Sequence, residues 1–92
     1  MGDMEEGKSC LNKGDYDGAL RHFQKALEID PKDSRVLNGI FGIGSAYFME
    51  QNYDRAIGCY KKVLEFDPEN SDALSEIWYI YYERGDYRKE VT

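Results

Sequence analysis

Ninety-two residues, 41% hydrophobic and 33% charged, are globular in composition and make one small domain near the lower size limit for a self-supporting core. A formal net charge of −6 argues against nucleic acid as the partner, because a phosphate backbone is held by a basic stripe. No apolar run approaches the ~20 residues that cross a bilayer, and Met1-Gly2-Asp3-Met4-Glu5-Glu6 has no apolar signal core, so a cytoplasmic protein without membrane contact is expected.

In chain order, Asp3 to Asn12 is helical in character but contains Gly7 and few apolar residues, so its stability depends on packing. The polar turn Lys13-Gly14-Asp15 follows. From Asp17 to Ile29 the positions Ala19, Leu20, Phe23, Ala26 and Leu27 paint one helical face. Asp15 supplies its cap and Asp30-Pro31 its stop, since proline disfavours the α conformation in the residue before it. Ser34 to Glu50 is a long helical stretch with Gly39, Gly42 and Gly44, and Gln51-Asn52 makes the next turn. Asp54 to Phe66 repeats the amphipathic face through Ala56, Ile57, Tyr60, Val63 and Leu64, and halts at Asp67-Pro68. Ser71 to Glu83 opens on Ser71 as N-cap, with Leu74, Ile77, Trp78 and Tyr81 on one stripe. Arg84-Gly85-Asp86 turns the chain, and Tyr87 to Thr92 begins a further helix. Nothing reads as strand, so the predicted class is all-α.

The blocks superimpose. Tyr16, Ala19, Phe23, Ala26-Leu27 and Asp30-Pro31 recur 37 residues later as Tyr53, Ala56, Tyr60, Val63-Leu64 and Asp67-Pro68. Upstream, Gly7 pairs with Gly44 and Cys10 with Tyr47. At a shift of 34, Tyr47 meets Tyr81, Tyr53 meets Tyr87, and Gln51-Asn52 meets Gly85-Asp86. Self-similarity at this period means helix pairs stacked into an α-solenoid, an architecture whose surfaces serve protein contact rather than catalysis. The single domain, residues 1–92, divides into unit one at 1–33, unit two at 34–70 and a partial unit three at 71–92.

Ile40-x2-Ile43-Gly44-x2-Tyr47, then Ala56-x3-Tyr60, then Pro68 resembles the tetratricopeptide repeat, whose signature runs through an aromatic or apolar residue, Leu-Gly, Tyr, Ala, Phe and Pro. Small Gly44 and Ala56 let paired helices approach, and Tyr47 and Tyr60 fill the space beside them. Unit one fits through Gly7, Ala19, Phe23, Ala26 and Pro31. Unit three fits through Leu74, Ile77, Tyr81, Gly85, Asp86 and Tyr87. Three departures stand out. The interval from Pro31 to Gly44 is three residues longer than that from Pro68 to Trp78, so either the leading helix or the loop before it is lengthened. Trp78 replaces the small residue, and Glu90 stands where Ala19 and Ala56 stood.

The resemblance implies a concave groove lined by the leading helix of each unit. Its positions here are Met4, Lys8, Leu11 and Asn12, then Asn38, Phe41, Ser45, Phe48 and Met49, then Asp72, Ser75, Tyr79, Tyr82 and Glu83. Phe41, Phe48, Met49, Tyr79 and Tyr82 would form an adaptable aromatic strip suited to an apolar side chain. Some relatives hold C-terminal carboxylates with basic residues and asparagines at positions occupied here by Met4, Lys8, Gly42, Asp72 and Glu76. With one basic and two acidic residues in that set, an apolar or basic peptide is the expected protein ligand.

Other constellations read blandly. Gly39-x2-Gly42-x-Gly44 follows no strand and lacks the Lys-Ser/Thr ending of a phosphate loop, so its glycines read as helix packing. His22 has no Cys or acidic partner at ligand spacing and is expected to face solvent. Cys10 and Cys59 read as free thiols. No catalytic set and no cofactor site is apparent, so no enzyme is expected. Ile77, Trp78, Ile80, Tyr81 and Val91 form the surface that a following helix would cover. The sequence leaves open whether a second copy covers it, as a homodimer or swapped scaffold, or whether the array is longer.

Overall fold

Short polar turns between amphipathic segments leave the chain one economical arrangement, antiparallel pairs stacked side by side. The computed structural model describes residues 2–85. Among them five helices follow in order: α1 (Asp3–Asn12), α2 (Tyr16–Ile29), α3 (Ser34–Met49), α4 (Tyr53–Phe66) and α5 (Ser71–Arg84), with no strand. α1 pairs with α2 and α3 with α4. α2 then packs on α3, α4 on α5, and α1 touches α3. The stack measures 46 × 26 × 14 Å. The further helix expected over 87–92 lies outside the described residues.

Local chemistry sets the boundaries. Asp15 caps α2 by accepting a 3.0 Å hydrogen bond from the Gly18 amide. Asp33 accepts from the Arg35 amide at the start of α3. For α5 the cap is Asn70, whose side chain accepts from the Ala73 amide at 3.0 Å, so Ser71 is its first helical residue and not its N-cap. Asp30 and Asp67, each before a proline, end α2 and α4 with almost the same backbone (φ −137°, ψ 91° and φ −139°, ψ 80°). The turns that follow α1, α3 and α5 share a left-handed residue at the same place in the repeat: Gly14 (φ 79°), Gln51 (φ 62°) and Gly85 (φ 78°). Two are glycine, which adopts this conformation without steric cost; Gln51 is not.

The core runs along the interface between helix pairs: Ala19, Phe23 and Leu27 of α2, Val36, Ile40, Ile43 and Tyr47 of α3, Ala56, Tyr60 and Val63 of α4, and Ala73, Ile77 and Ile80 of α5. Phe23 sits between two glycine faces. A Cβ on Gly7 of α1 would lie 2.5 Å from its ring, and one on Gly39 of α3 would lie 2.8 Å away. Tyr60 repeats the motif against Gly44, where an added Cβ would meet its ring at 2.8 Å. The close approaches expected of Gly39 and Gly44 are therefore real, and Gly7 makes the same approach within the first pair. Gly42 is exposed with nothing near it and packs against nothing.

The extra residues before Gly44 go into the helix. The α3 cap lies two positions after Pro31 and the α5 cap two positions after Pro68, so the loops match and α3 starts earlier relative to its glycine. Val36 and Leu37 in this added turn are buried. Two other expectations are corrected. His22 does not face solvent: it is half-buried, with Nδ1 3.0 Å from Asp3 and Nε2 3.7 Å from Glu6, both on α1. On α5, Ile77 and Ile80 are buried with Ala73 rather than left uncovered, because this stripe faces α4. Leu74 and Trp78 occupy the adjacent, exposed stripe, and Tyr81 is half-buried against the core.

A candidate peptide-binding face

Leading helices α1, α3 and α5 share one layer, since α1 packs on α3 and α3 meets α5 through Phe48 and Tyr79. On this layer α3 contributes a line of side chains about a turn apart. Phe41 packs on Tyr60 with the rings tilted and their centroids 5.1 Å apart. One turn on, the Ser45 hydroxyl lies 3.3 Å from the Tyr60 hydroxyl. Phe48 then lies between Tyr53 (5.7 Å) and Tyr79 of α5 (5.6 Å). The result is an aromatic strip in two groups along α3, Phe41 with Tyr60 and Phe48 with Tyr53 and Tyr79, the second reaching onto α5.

The strip is only half covered. Phe41, Ser45 and Phe48 are half-buried, while Tyr79 and Tyr82 are 49% and 65% exposed and Met49 is 83% exposed. Lys8 and Asn12 on α1, Asn38 on α3 and Asp72 on α5 are exposed side chains. Of the residues expected in the groove, Phe41 and Ser45 meet at Tyr60, and Phe48 meets Tyr79. Among the oligomer-face candidates, Trp78 is 46% exposed and lies edge-on to Tyr81 at 6.2 Å, Ile77 and Ile80 belong to the core, and Val91 lies outside the described residues.

Electrostatics distinguish the α5 side. Burial pushes the Tyr60 hydroxyl above its ordinary value, and the nearby Glu76 carboxylate pushes it the same way. Tyr79 is raised chiefly by a hydrogen bond to the Glu83 carboxylate. Glu76, half-buried and one turn before Tyr79 on α5, stands beside the strip, although the sequence pointed to it only as a mismatched clamp position. Its spacing from Asp72 and Tyr79, four residues and three, was the available signal.

Away from this face, Asp17 of α2 ties the two pairs together. It accepts from the Tyr47 hydroxyl at 3.2 Å and from Arg55 at 2.8 Å, and the Arg55 guanidinium lies over the Tyr47 ring at 5.8 Å. In the next interval Asp54, the repeat equivalent of Asp17, accepts from Arg84 at 3.1 Å. Cys59 is buried and its thiol is pushed up to about 11, chiefly by burial, so it is a core side chain and not a nucleophile. Among the described residues no cluster of His, Cys, Asp and Glu could hold a metal ion, and no helix is long and apolar enough to cross a membrane.

The family model of the tetratricopeptide repeat matches residues 2–69, both complete helix pairs up to the turn before α5. A comparison with curated proteins finds no match. Most of its length lies within that family match, and the match coincides with two helix pairs joined by glycine-to-aromatic contacts. The chain belongs to the tetratricopeptide repeat family.

Proposed function

We propose that this chain is a non-catalytic binding module that takes a peptide or protein segment along the face formed by α1, α3 and α5. Tetratricopeptide repeats generally mediate protein–protein interactions. The observation supporting this face is its aromatic strip, where Phe48 bridges Tyr53 and Tyr79 while Tyr79, Tyr82 and Met49 stay largely open to solvent. Open aromatics in a row bury apolar area on contact at little conformational cost, which is how binding hot spots are built. A C-terminal carboxylate is the less suitable ligand, because Asp72 and Glu76 would repel it.

The test pairs Phe48→Ala with Tyr82→Ala. Partner capture should be lost while light scattering gives an unchanged mass and circular dichroism an unchanged helix content. Retained capture would defeat the reading.

A second reading is self-assembly. It is favoured by the outward stripe of α5, where Leu74 and Trp78 are 42% and 46% exposed beside half-buried Tyr81. Light scattering that finds a dimer, converted to monomer by Trp78→Lys, would support it; a monomer at high concentration would remove it.

A further inference from the structure

We infer, on the basis of the peptide-binding reading above, that the occupant is an extended segment with two cationic side chains about three residues apart and an apolar residue between them. The aromatic strip has walls of different charge. Its α3 wall, Asn38, Phe41, Ser45, Phe48 and Met49, carries none. Its α5 wall sets Asp72, Glu76, Tyr79 and Glu83 on one helical face at intervals of four, three and four residues. Ion pairs among the described residues engage Asp3, Glu6, Asp17, Asp33, Asp54 and Glu65, and none engages these three acids. The strip is thus uncharged along its α3 wall and carries acids without an ion pair among the described residues along its α5 wall.

Two of these carboxylates flank the ring that meets Phe48: on the same helix Glu76 lies three residues before Tyr79 and Glu83 four residues after it. Seven residues of helix separate them, a rise of about 10 Å. Three residues of peptide in the polyproline II form cover about the same distance, roughly 9 Å, and bring the side chain back to the same face, so cations at that interval reach both acids at once. The half-exposed Tyr79 ring lies between the acids, where it meets the intervening apolar side chain and offers its face to an arginine. A guanidinium suits the site better than an ammonium, because its planar fork engages carboxylates through two bonds and stacks on rings.

The experiment uses the full 92-residue chain and fluorescence anisotropy with short labelled peptides. One contains Arg-Leu-Ser-Arg, a second replaces both arginines by citrulline, a third replaces them by glutamate. The expected order is arginine, citrulline, glutamate, with arginine at least about 10-fold tighter than citrulline at low salt. Raising salt from about 0.05 M to about 0.5 M should shrink the gap. Glu76→Gln with Glu83→Gln should abolish it, bringing the arginine peptide to the level of the citrulline peptide. Equal binding of the arginine and citrulline peptides, both lost on Phe48→Ala, overturns the cationic occupant and keeps the groove. Binding insensitive to Phe48→Ala, or no binding by any peptide, overturns both. A dimer that falls apart on Phe48→Ala with Tyr82→Ala places a second copy in the strip and likewise overturns the inference.

Discussion

The α1–α2 and α3–α4 pairs follow one pattern and are held unequally. In α1 only Gly7 is buried; in α3 Val36, Leu37, Ile40, Ile43, Gly44 and Tyr47 are. The position corresponding to buried Tyr47 is half-buried Cys10. α3 lies between α2 and α4 and reaches α5 through Phe48, whereas α1 rests on α2 and on one edge of α3. The repeat motif dictates which atoms meet, and place in the stack dictates how much each meeting is worth.

The largest test of that difference is Tyr60→Ala. Its ring is fully buried against Gly44 and Phe41, so truncation should cost about 3–5 kcal/mol in urea unfolding. Tyr60→Phe, which keeps the ring and loses only the bond to Ser45, should cost about 1 kcal/mol. Similar losses from both would mean that the hydroxyl, and not the packing, holds the second pair.

Next come the two glycines. Gly44→Ala drives a methyl into a ring fixed by Phe41 and Ser45, and should cost about 1–3 kcal/mol despite the better helix propensity of alanine. At Gly7 the approach is closer, 2.5 Å against 2.8 Å, so local geometry alone ranks Gly7→Ala as worse. The comparison between pairs ranks it milder, because α1 can slide outward with little else to disturb. Equal or greater loss at Gly7 would break the comparison.

Much of this arrangement was legible because the repeat writes its contacts twice. Gly7 against Phe23 and Gly44 against Tyr60 follow from matched spacing, as do the aspartate-proline helix stops. What could not be read depends on which neighbouring helix a face meets. Ile77 and Ile80 share a helix with Trp78, and only the docking of α4 decides which stripe is covered. His22 finds its acids on α1, 19 residues away in the case of Asp3, so local spacing carries no sign of them. The three added residues before Gly44 fitted a loop as well as a helix, until Asp33 proved to cap at the same distance from its proline as Asn70.

Cys59 sharpens the comparison through pH. Its folded value is raised from 9.0 to about 11, so the folded state keeps a proton that the unfolded chain releases. The stabilisation is fully present below pH 9 and is lost as pH rises toward about 11. After allowance for solvent screening the loss amounts to about 1–2 kcal/mol. Tyr47 and Tyr60, also raised mainly by burial, carry the same sign at higher pH. Cys59→Ala should flatten the early part of this decline, read as the urea midpoint across the pH range. An unchanged slope would assign the alkaline loss to the tyrosines.

The smallest expected effect isolates the backbone. Gly14 and Gln51 hold the same left-handed turn position 37 residues apart, but only Gln51 has a side chain whose Cβ crowds the following carbonyl there. Gln51→Gly removes that strain, of order 1–2 kcal/mol, and gives back part of it by loosening the unfolded chain. A net gain of about 0.5–1 kcal/mol should remain, measured as a higher urea midpoint with an unchanged slope. Gly14→Ala is the mirror experiment. Nothing lies within 4 Å of the added methyl, so any loss reports conformation alone and should match the gain at Gln51 in size. A gain at Gln51 much smaller than the loss at Gly14 would mean that the second turn has relaxed around its glutamine, and that the two turns share φ without sharing strain.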